Sequence, residues 1–312
     1  MHLILGFYNW HVKVEGLPDA NPQDYYWTLK QLVSRRDALV KTKSMLMRQF
    51  HEQIQYHYPS YKKFFHEIEC NTSLAFYEAY PSAGTLDKVS IEELTEFLRV
   101  PSHNCCSTRK ATEIIDLVIE DAVAERDYQF GRDFIVKSIV RHIRYHCEEL
   151  KKIEIVLAKM LRELSYHLET IPGVNTVTAC ALVAHIGDID RFASGDKLAS
   201  YAGIAPICLS SAGKGRDTQN KSQGNRDLYA VFYMLAMQQI QVNNKGQARN
   251  PVMRAYFESK ISEGKTKIQA LLCIMRRLVN IIYSMMKKQT AYRLPVMKNE
   301  VRTEVEKEKM IS

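Results

Sequence analysis

Two long stretches of the chain repeat apolar residues at three- and four-residue spacing, over 25–57 and 132–168. This spacing is typical of an amphipathic helix, because 3.6 residues make one turn. The matching lengths predict an antiparallel pair of coiled-coil type. Between them, over 60–128, breaks at Pro81 and Pro101 predict several short helices.

Apolar helical periods return in the C-terminal third of the chain. They predict helices over 227–240, 250–257 and 267–286. The stretch 201–226 has no such period and holds glycine, serine and cationic residues instead. The pattern therefore predicts a mainly α protein with one long basic loop, the type of segment that often carries function.

These periods divide the chain into four predicted parts. Residues 1–23 have no clear period and precede a coiled-coil domain at 24–168 that carries the helical insert. A second, helical domain is predicted over 169–292. Residues 293–312 are charged and lack a core pattern, so a disordered tail is expected there.

The sequence LETIPGVNTVTACALVAHIG predicts a tight turn followed by a helix that ends near Gly187. This is the pattern of a helix-hairpin-helix, in which backbone N–H groups at the turn can hold a phosphate. Asn175 stands where that motif usually has its second glycine, and asparagine tolerates the left-handed conformation. Gly173 and Asn175 are therefore candidate DNA-binding residues. A plain helical turn is the alternative.

The formal net charge of +8 is concentrated in the C-terminal third. Residues 200–292 hold 14 Lys/Arg against 4 Asp/Glu, whereas the rest of the chain holds 29 against 31. Such asymmetry favours a polyanionic partner, of which nucleic acid is the first candidate. A surface that only keeps the protein in solution is the alternative.

Cysteine usage and hydropathy indicate a cytoplasmic protein without a membrane partner. The seven cysteines are odd in number and scattered, which is typical of a reducing compartment. No apolar run approaches the length of a membrane span. The start of the chain lacks the basic region and cleavage site of a signal peptide.

No metal site is predicted from this sequence. His142 and His146 are spaced i,i+4 beside Cys147, but no further ligand is nearby. The cluster of His103, Cys105 and Cys106 is similarly weak. Solvated histidines on a basic helical face explain the first pattern better than a metal site does.

Several ordered motifs carry a family resemblance. They are IPGVNTVTACALVAHIGDIDRFASGDKLASYAGIAP, SSAGK, QGNR, RNPVMRAYFESKISEGK and ALLCIMRRLVNIIY, with LKQLVSRRDALVKTK at the start of the first long helix. Over about residues 25–290 the chain resembles the DEDD-type bacterial insertion-sequence transposases. Those proteins have a RuvC-like nuclease domain, a coiled coil and a C-terminal serine domain. The resemblance implies action on DNA and an element-encoded guide RNA as a possible partner. The coiled-coil helix pair could also join copies of the chain, so a homo-oligomer through the coiled coil is expected.

The resemblance also implies a nucleophile. In that family a serine ahead of a Gly-Gly-Lys-like stretch is proposed to link covalently to DNA. Here SSAGK aligns Ser211 with it, and Ser210 is the alternative. A serine that attacks a phosphodiester needs cations to offset the charge on the phosphorane oxygens. The local cations, which are also the candidate DNA-binding side chains, are Lys214, Arg216, Lys221 and Arg226.

Two departures from the family pattern set limits. The family's four clustered carboxylates, which hold two Mg²⁺ ions, have no counterpart over 1–23, so this segment is interpreted as the remnant of a missing nuclease domain. No cofactor is expected in this chain, and Mg²⁺ is expected only for the missing domain. We therefore expect a truncated transposase that does not cleave DNA alone. In addition, Tyr229 stands where the family commonly has an arginine.

From residue chemistry alone, two other functions stay open. One is a helix-hairpin-helix protein whose basic loop binds nucleic acid without chemistry, its serines forming only hydrogen bonds. The other is a cytoplasmic scaffold built on the coiled coil, which would have no affinity for nucleic acid.

Overall fold

The computed structural model describes residues 25–204 and 224–294. Within these residues the protein is mainly α, as predicted, and the isolated bridge between Val242 and Ala248 does not extend into a sheet. The helices are α1 Tyr25–Ile54, α2 Tyr61–Phe64, α3 Asn71–Ala79, α4 Ile91–Arg99, α5 Thr108–Asp121, α6 Gln129–Glu163, α7 Thr176–Ile186, α8 Gly195–Tyr201, α9 Arg226–Ile240, α10 Pro251–Ser262 and α11 Lys267–Lys288. Short 3-10 helices lie at Ala83–Thr85, Leu168–Thr170 and Ile189–Arg191.

Capping side chains set several helix starts. Ser90 and Glu93 form the capping box expected at the start of α4, where Ser90 Oγ accepts from the Glu93 N–H at 3.1 Å. Asn250 caps α10 and Pro251 occupies its first turn, where a missing N–H costs nothing. Ser107 holds the cap position of α5, and Thr108 is the first residue of that helix.

The chain divides into two compact units. The insert unit comprises 35–153, and the C-terminal unit comprises 25–34 and 154–294 within the described residues. Helices α1 and α6 contribute residues to both. The predicted division at 168 into a coiled-coil domain and a second domain stays a prediction.

The core of the insert unit is rich in aromatic side chains. Phe50, Tyr58, Phe64, Phe76 and Tyr77 each expose less than 2% of their surface. The ring of Tyr77 lies edge-on to Phe50 and to Phe76, with centroids 5.1 Å apart in both pairs. Such offset and edge contacts suit the ring quadrupoles and add to the apolar area removed from water. The aromatic residues of this stretch therefore act as core, which gives the insert its own fold.

The two long helices meet at their ends as antiparallel neighbours would. In the C-terminal unit the Tyr25 hydroxyl, at the start of α1, donates to the Met160 carbonyl near the end of α6. In the insert unit His57, just after α1, contacts Gln129 at the start of α6. Coiled-coil packing between the two helices stays a prediction.

His57 is a buried titratable group of the insert unit. It is 4% exposed, and its Nδ1 lies 3.2 Å from Gln129 Nε2, which donates to Asp133 Oδ1 at 2.7 Å. Burial lowers the pKa of His57 below its ordinary value of 6.5, with help from Arg132 and against the pull of Asp133. The folded state therefore favours the neutral imidazole.

We expect the insert unit to lose stability as the pH falls through about 6.5. The unfolded chain takes up a proton at His57 near that pH, whereas the folded chain does so only at its lower pKa. Stability present above the unfolded pKa is therefore lost progressively on acidification. Thermal unfolding of the wild type and His57→Gln across this range measures the effect. Equal pH slopes in the two proteins would contradict it.

Helix α11 is the central helix of the C-terminal unit. By length and composition it could cross a membrane, but one of its faces is packed against other helices. Arg276 and Arg277 lie in its middle, which a core helix tolerates on its outer side. Its buried residues are Ala270, Leu271, Ile274, Met275, Leu278, Val279, Ile282, Met285 and Met286.

Candidate nucleic-acid interface

Residues 201–204 and 224–225 lie side by side in the C-terminal unit, and we call this pair of segments the neck. The Asn225 N–H donates to the Tyr201 carbonyl at 2.8 Å. Gly224 has a φ of +95°, and a Cβ added to it would lie 2.6 Å from Gly203 N. Only glycine permits both this backbone conformation and this approach. Residues 204 and 224, which flank the segment outside the described residues, therefore lie close together.

Asn225 joins the two sides of the neck through its side chain. Its Oδ1 accepts from the Leu228 N–H at 3.0 Å and so caps α9. Its Nδ2 donates to the Tyr201 hydroxyl at 3.1 Å. One side chain thus fixes the start of α9 against the end of α8.

The neck is surrounded by cations. The Arg191 guanidinium lies 4.6 Å from the ring centroids of both Tyr201 and Phe192. Arg226, in the first turn of α9, is exposed. Lys30 of α1 is exposed and lies within electrostatic reach of Tyr201. Arg191 therefore contacts the neck, Arg226 directly follows it in the chain, and the charge of Lys30 acts on Tyr201 from a third element.

The charge state of Tyr201 reflects this environment. Burial by itself would raise the pKa of its hydroxyl. Hydrogen bonds from Asn225 and Arg191, together with the charges of Arg191 and Lys30, outweigh burial and lower the pKa below its ordinary value of 10.0. The neck therefore favours negative charge, whether on a phenolate or on a bound anion.

The predicted hairpin turn lies between the 3-10 helix Leu168–Thr170 and α7. Gly173 has a φ of +84°, so it supplies the left-handed position of the turn. The expectation of a left-handed Asn175 was wrong. Asn175 is extended (φ −97°, ψ 174°) and caps α7 by accepting from the Thr178 N–H at 2.9 Å. Because a helix N-cap residue has extended backbone, Asn175 cannot also adopt the left-handed conformation of the motif's second glycine. The helix-hairpin-helix itself stays a prediction.

Side chains from the far end of α9 hold the hairpin turn. The amide of Gln239 donates to the Pro172 carbonyl. The Gln239 Oε1 accepts in turn from Asn250 at 2.8 Å. Arg249 lies against Gly173, within 3.4 Å of where its Cβ would stand. Arg249 is thus a cation beside the turn that the sequence did not single out.

The structure therefore separates two elements that the sequence assigned to one interface. Arg226 stands at the first residue of α9, whereas the side chains that hold Gly173 come from the last turn of the helix and beyond it. A helix of 15 residues is roughly 20 Å long. A single phosphate cannot contact both, but a duplex backbone can span them.

Residues 165–257 match the family model described as Transposase IS116/IS110/IS902 family. This chain is similar to those transposases. The neck, Arg191, Arg226 and the hairpin turn fall inside the matched region, whereas Lys30 lies outside it. The transposase match thus covers the part of the chain where cations converge.

Three curated relatives extend the comparison. An uncharacterized 43.6 kDa protein of insertion element IS110 from Streptomyces coelicolor is 28% identical over 217 residues, which are 69% of this chain and 51% of the relative. A 44.8 kDa protein of insertion element IS116 from Streptomyces clavuligerus is 22% identical over 88% of this chain and 67% of its own length. A pilin gene-inverting protein from Moraxella lacunata is 29% identical over 54% of this chain and 53% of its own length. The chain thus spans about half to two thirds of the length of these three relatives.

Several predicted residues of the transposase-like region lie outside the described residues. They are Ser210, Ser211, Lys214, Arg216 and Lys221. Arg226, Gly173 and Asn175 are described, and their positions are given above. Tyr229 lies in α9, one turn beyond Asn225, and its N–H donates to the Asn225 carbonyl.

The Mg²⁺ ions of the resembled family need clustered carboxylates. Among residues 25–204 and 224–294, no group of three or more His, Cys, Asp or Glu side chains could hold a metal ion. The side chain of His146 contacts the backbone of His142, with His146 Nδ1 2.8 Å from the His142 carbonyl oxygen. The described residues do not fit the metal pair, so no step proposed below passes through a metal ion.

Sequence reasoning missed Lys30, Arg191 and Arg249. Lys30 reads as an ordinary solvated residue of an amphipathic helix, and it lies far along the chain from Tyr201. Arg191 follows two aspartates, at 188 and 190, that suggest local ion pairing instead of a free cation. The available signal was the aromatic residue beside Arg191, since Arg commonly stacks on rings.

Proposed function

We propose that this chain is the DNA-binding and serine-bearing part of an insertion-sequence transposase that rearranges DNA. The observation that carries the proposal is the transposase match at 165–257, which includes the serine pair and the neck. The insertion-element relatives support a role in transposition. The name of the gene-inverting relative supports rearrangement of DNA as the shared outcome.

Ser211 is proposed as the nucleophile, with Ser210 as the alternative. Its Oγ attacks the phosphorus of a DNA phosphodiester and forms a phosphoserine link. The bond from phosphorus to one bridging deoxyribose oxygen breaks, and the serine proton passes to that oxygen to give a free hydroxyl end. Charge on the phosphorane is offset by Lys214, Arg216 and Lys221.

The neck supports this assignment through its charge. Residue 204 and residue 224 begin and end the serine-bearing segment at a place that Arg191 and Arg226 make positive. A phosphodiester drawn to these cations would lie next to the segment that carries the nucleophile. Binding and chemistry would then use one phosphate region of the DNA.

The proposed partners follow from the same assignment. DNA is the substrate, and an RNA encoded by the element is a second nucleic-acid partner. Two or more copies of the chain associate through the long helices α1 and α6. The proposed compartment is the bacterial cytoplasm, at the nucleoid, with no membrane contact.

Covalent capture tests the proposal. The chain is expressed together with the RuvC-like nuclease domain of the resembled family and with the native flanking DNA, because the chain alone is not expected to cleave DNA, and protein is isolated under denaturing conditions that leave only covalently attached DNA. We expect DNA on the wild type and on Ser210→Ala, and none on Ser211→Ala. Adducts that persist in Ser211→Ala but vanish in Ser210→Ala would move the nucleophile to Ser210. Adducts that survive the double substitution would refute serine chemistry.

A second candidate is a nucleic-acid-binding protein without chemistry. It is favoured by the turn at Gly173, where α7 begins and Arg249 adds a positive charge. That arrangement needs no serine. Wild-type protein that binds DNA with a steep salt dependence and forms no adduct would select this alternative.

A further inference from the structure

Arg191 is a cation held in place without a carboxylate. Its guanidinium lies over the rings of Tyr201 and Phe192 and shares a hydrogen bond with the Tyr201 hydroxyl. Within the described residues it has no ion pair. An arginine stacked in this way loses little further entropy when it binds an anion, because its fork is already oriented.

The nearby carboxylates are engaged elsewhere. Asp190 pairs with Lys287, and Asp196 pairs with Arg276. Asp188 accepts from the Asp190 N–H at 2.8 Å and caps the 3-10 helix. Asp227 stands beside Arg226 in the first turn of α9, where a negative charge suits the helix dipole. The neck thus keeps its excess of positive charge.

The other two cations lie on different elements. Lys30 belongs to α1 and Arg226 to α9, and neither forms an ion pair within the parts of the chain that the structure describes. Arg191 lies over the Tyr201 ring, the charge of Lys30 acts on the Tyr201 hydroxyl, and Arg226 directly follows Asn225 in the chain. A planar guanidinium, an ammonium group and a hydroxyl together are suited to bind a tetrahedral anion such as phosphate.

We propose that Arg191 and Lys30 bind one backbone phosphate of DNA at the neck, and that Tyr201 is the positioning residue that orients Arg191. This rests on the proposed function, since it takes DNA as the partner. Arg191 binds two phosphate oxygens through its fork, and Lys30 adds a point charge. The Tyr201 ring and hydroxyl keep the guanidinium aimed at the phosphate.

The chain offers a matched control. Arg277 of α11 lies 4.5 Å from the ring centroid of Tyr256, which is the same stacking that Arg191 makes on Tyr201. Arg277 is also exposed and has no ion pair among the described residues. Arg277→Gln therefore removes one stacked positive charge without touching the neck.

Binding of a labelled mixed-sequence DNA duplex by the full chain tests the site. Salt is varied between about 50 and 200 mM, and anisotropy reports affinity. We expect Arg191→Gln to weaken binding about tenfold at the lower salt and to reduce the salt slope by about 0.9, the loss of one phosphate contact. Lys30→Gln should act in the same direction, and Arg277→Gln should stay within about twofold of the wild type.

Tyr201→Phe separates positioning from folding. It keeps the ring under Arg191 but removes the hydroxyl that joins Asn225 and Arg191. We expect Tyr201→Phe to bind DNA more weakly than the wild type with an unchanged salt slope, because Arg191 still contacts the phosphate but in a less favourable orientation. Arg191→Lys should bind DNA more tightly than Arg191→Gln but more weakly than the wild type, since lysine keeps the positive charge and lacks the planar guanidinium.

Several outcomes would overturn the site. One is an Arg191→Gln variant that binds DNA as tightly as Arg277→Gln does. Another is an Arg191→Gln variant that loses affinity without a change in salt slope. A third is an effect of Arg191→Gln on binding of an RNA duplex of the same sequence but not on binding of DNA. The site and the proposed function fail separately. If the adduct depends on Ser211 but Arg191→Gln leaves DNA binding unchanged, only the proposed phosphate site is refuted. Arg191-dependent binding without any adduct refutes only the chemistry.

Discussion

Replacing Gly224 with alanine is expected to destabilise the neck by about 2–5 kcal/mol. The backbone φ of +95° costs about 1–2 kcal/mol for a residue with a Cβ. The new Cβ would also lie 2.6 Å from Gly203 N and 2.7 Å from Gly203 Cα, and forced overpacking costs about 1–3 kcal/mol more. The neighbour is backbone, so it cannot move aside as a flexible side chain would.

The matched control is Gly246→Ala. Gly246 also has a positive φ, of +75°, but nothing lies within 4 Å of the added Cβ. It should therefore cost only about 1–2 kcal/mol. Hydrogen exchange at the Asn225 N–H, which donates to the Tyr201 carbonyl at 2.8 Å, reports opening of the neck directly. Equal exchange at Asn225 in the two variants would argue against the contact between Gly203 and Gly224.

Replacing Asn250 with alanine is expected to lower the stability of the C-terminal unit by about 2–4 kcal/mol. Asn250 is fully buried, caps α10 through the Met253 N–H and donates to Gln239 at 2.8 Å. Loss of a cap costs about 1 kcal/mol. The Gln239 Oε1 is then left buried without a donor, which costs about 1–3 kcal/mol more. Urea unfolding measures the total.

Thr266→Ala provides the comparison, because Thr266 is an exposed residue that caps α11. It should cost only about 1 kcal/mol. Asn250→Ala should also loosen the hairpin turn, since Gln239 holds the Pro172 carbonyl. Faster hydrogen exchange at the Val174 N–H, which donates to the Ile171 carbonyl at 3.0 Å, is the expected sign. A variant as stable as Thr266→Ala would show that water or rotation of Gln239 replaces the lost bond.

The helices could be predicted because their cause is local. Apolar spacing, the Ser90–Glu93 capping box and the Asn250–Pro251 start all act within one or two turns of chain. The errors were also local. Ser107 and Thr108 are both residue types that favour a cap position, so sequence alone does not choose between them, and Ser107 holds it in the structure. At Asn175, two local preferences of asparagine competed, and capping of α7 prevailed over the left-handed turn.

The candidate site was only partly within reach of the sequence. The basic, glycine-rich stretch indicated the right region, and Arg226 was singled out there. Arg191 and Lys30 were missed because their role depends on contacts between elements that are distant along the chain. The sequence also did not predict that Gly173 and Arg226 lie at opposite ends of α9. Both residues are near the serine-bearing stretch in sequence order, and that order does not show which end of a helix packs on the turn.

The sequence by itself determined the helical class, most helix boundaries and the resemblance to a transposase, since these depend on short-range periodicity and on ordered motifs. The tertiary structure decided how the cations are grouped. Charges gather where backbone segments close on each other, and closure at Gly224 and Gly203 is a long-range contact. The long-range contact of the neck places Arg226 next to Tyr201, on whose ring Arg191 is stacked, and sequence order alone does not give this contact.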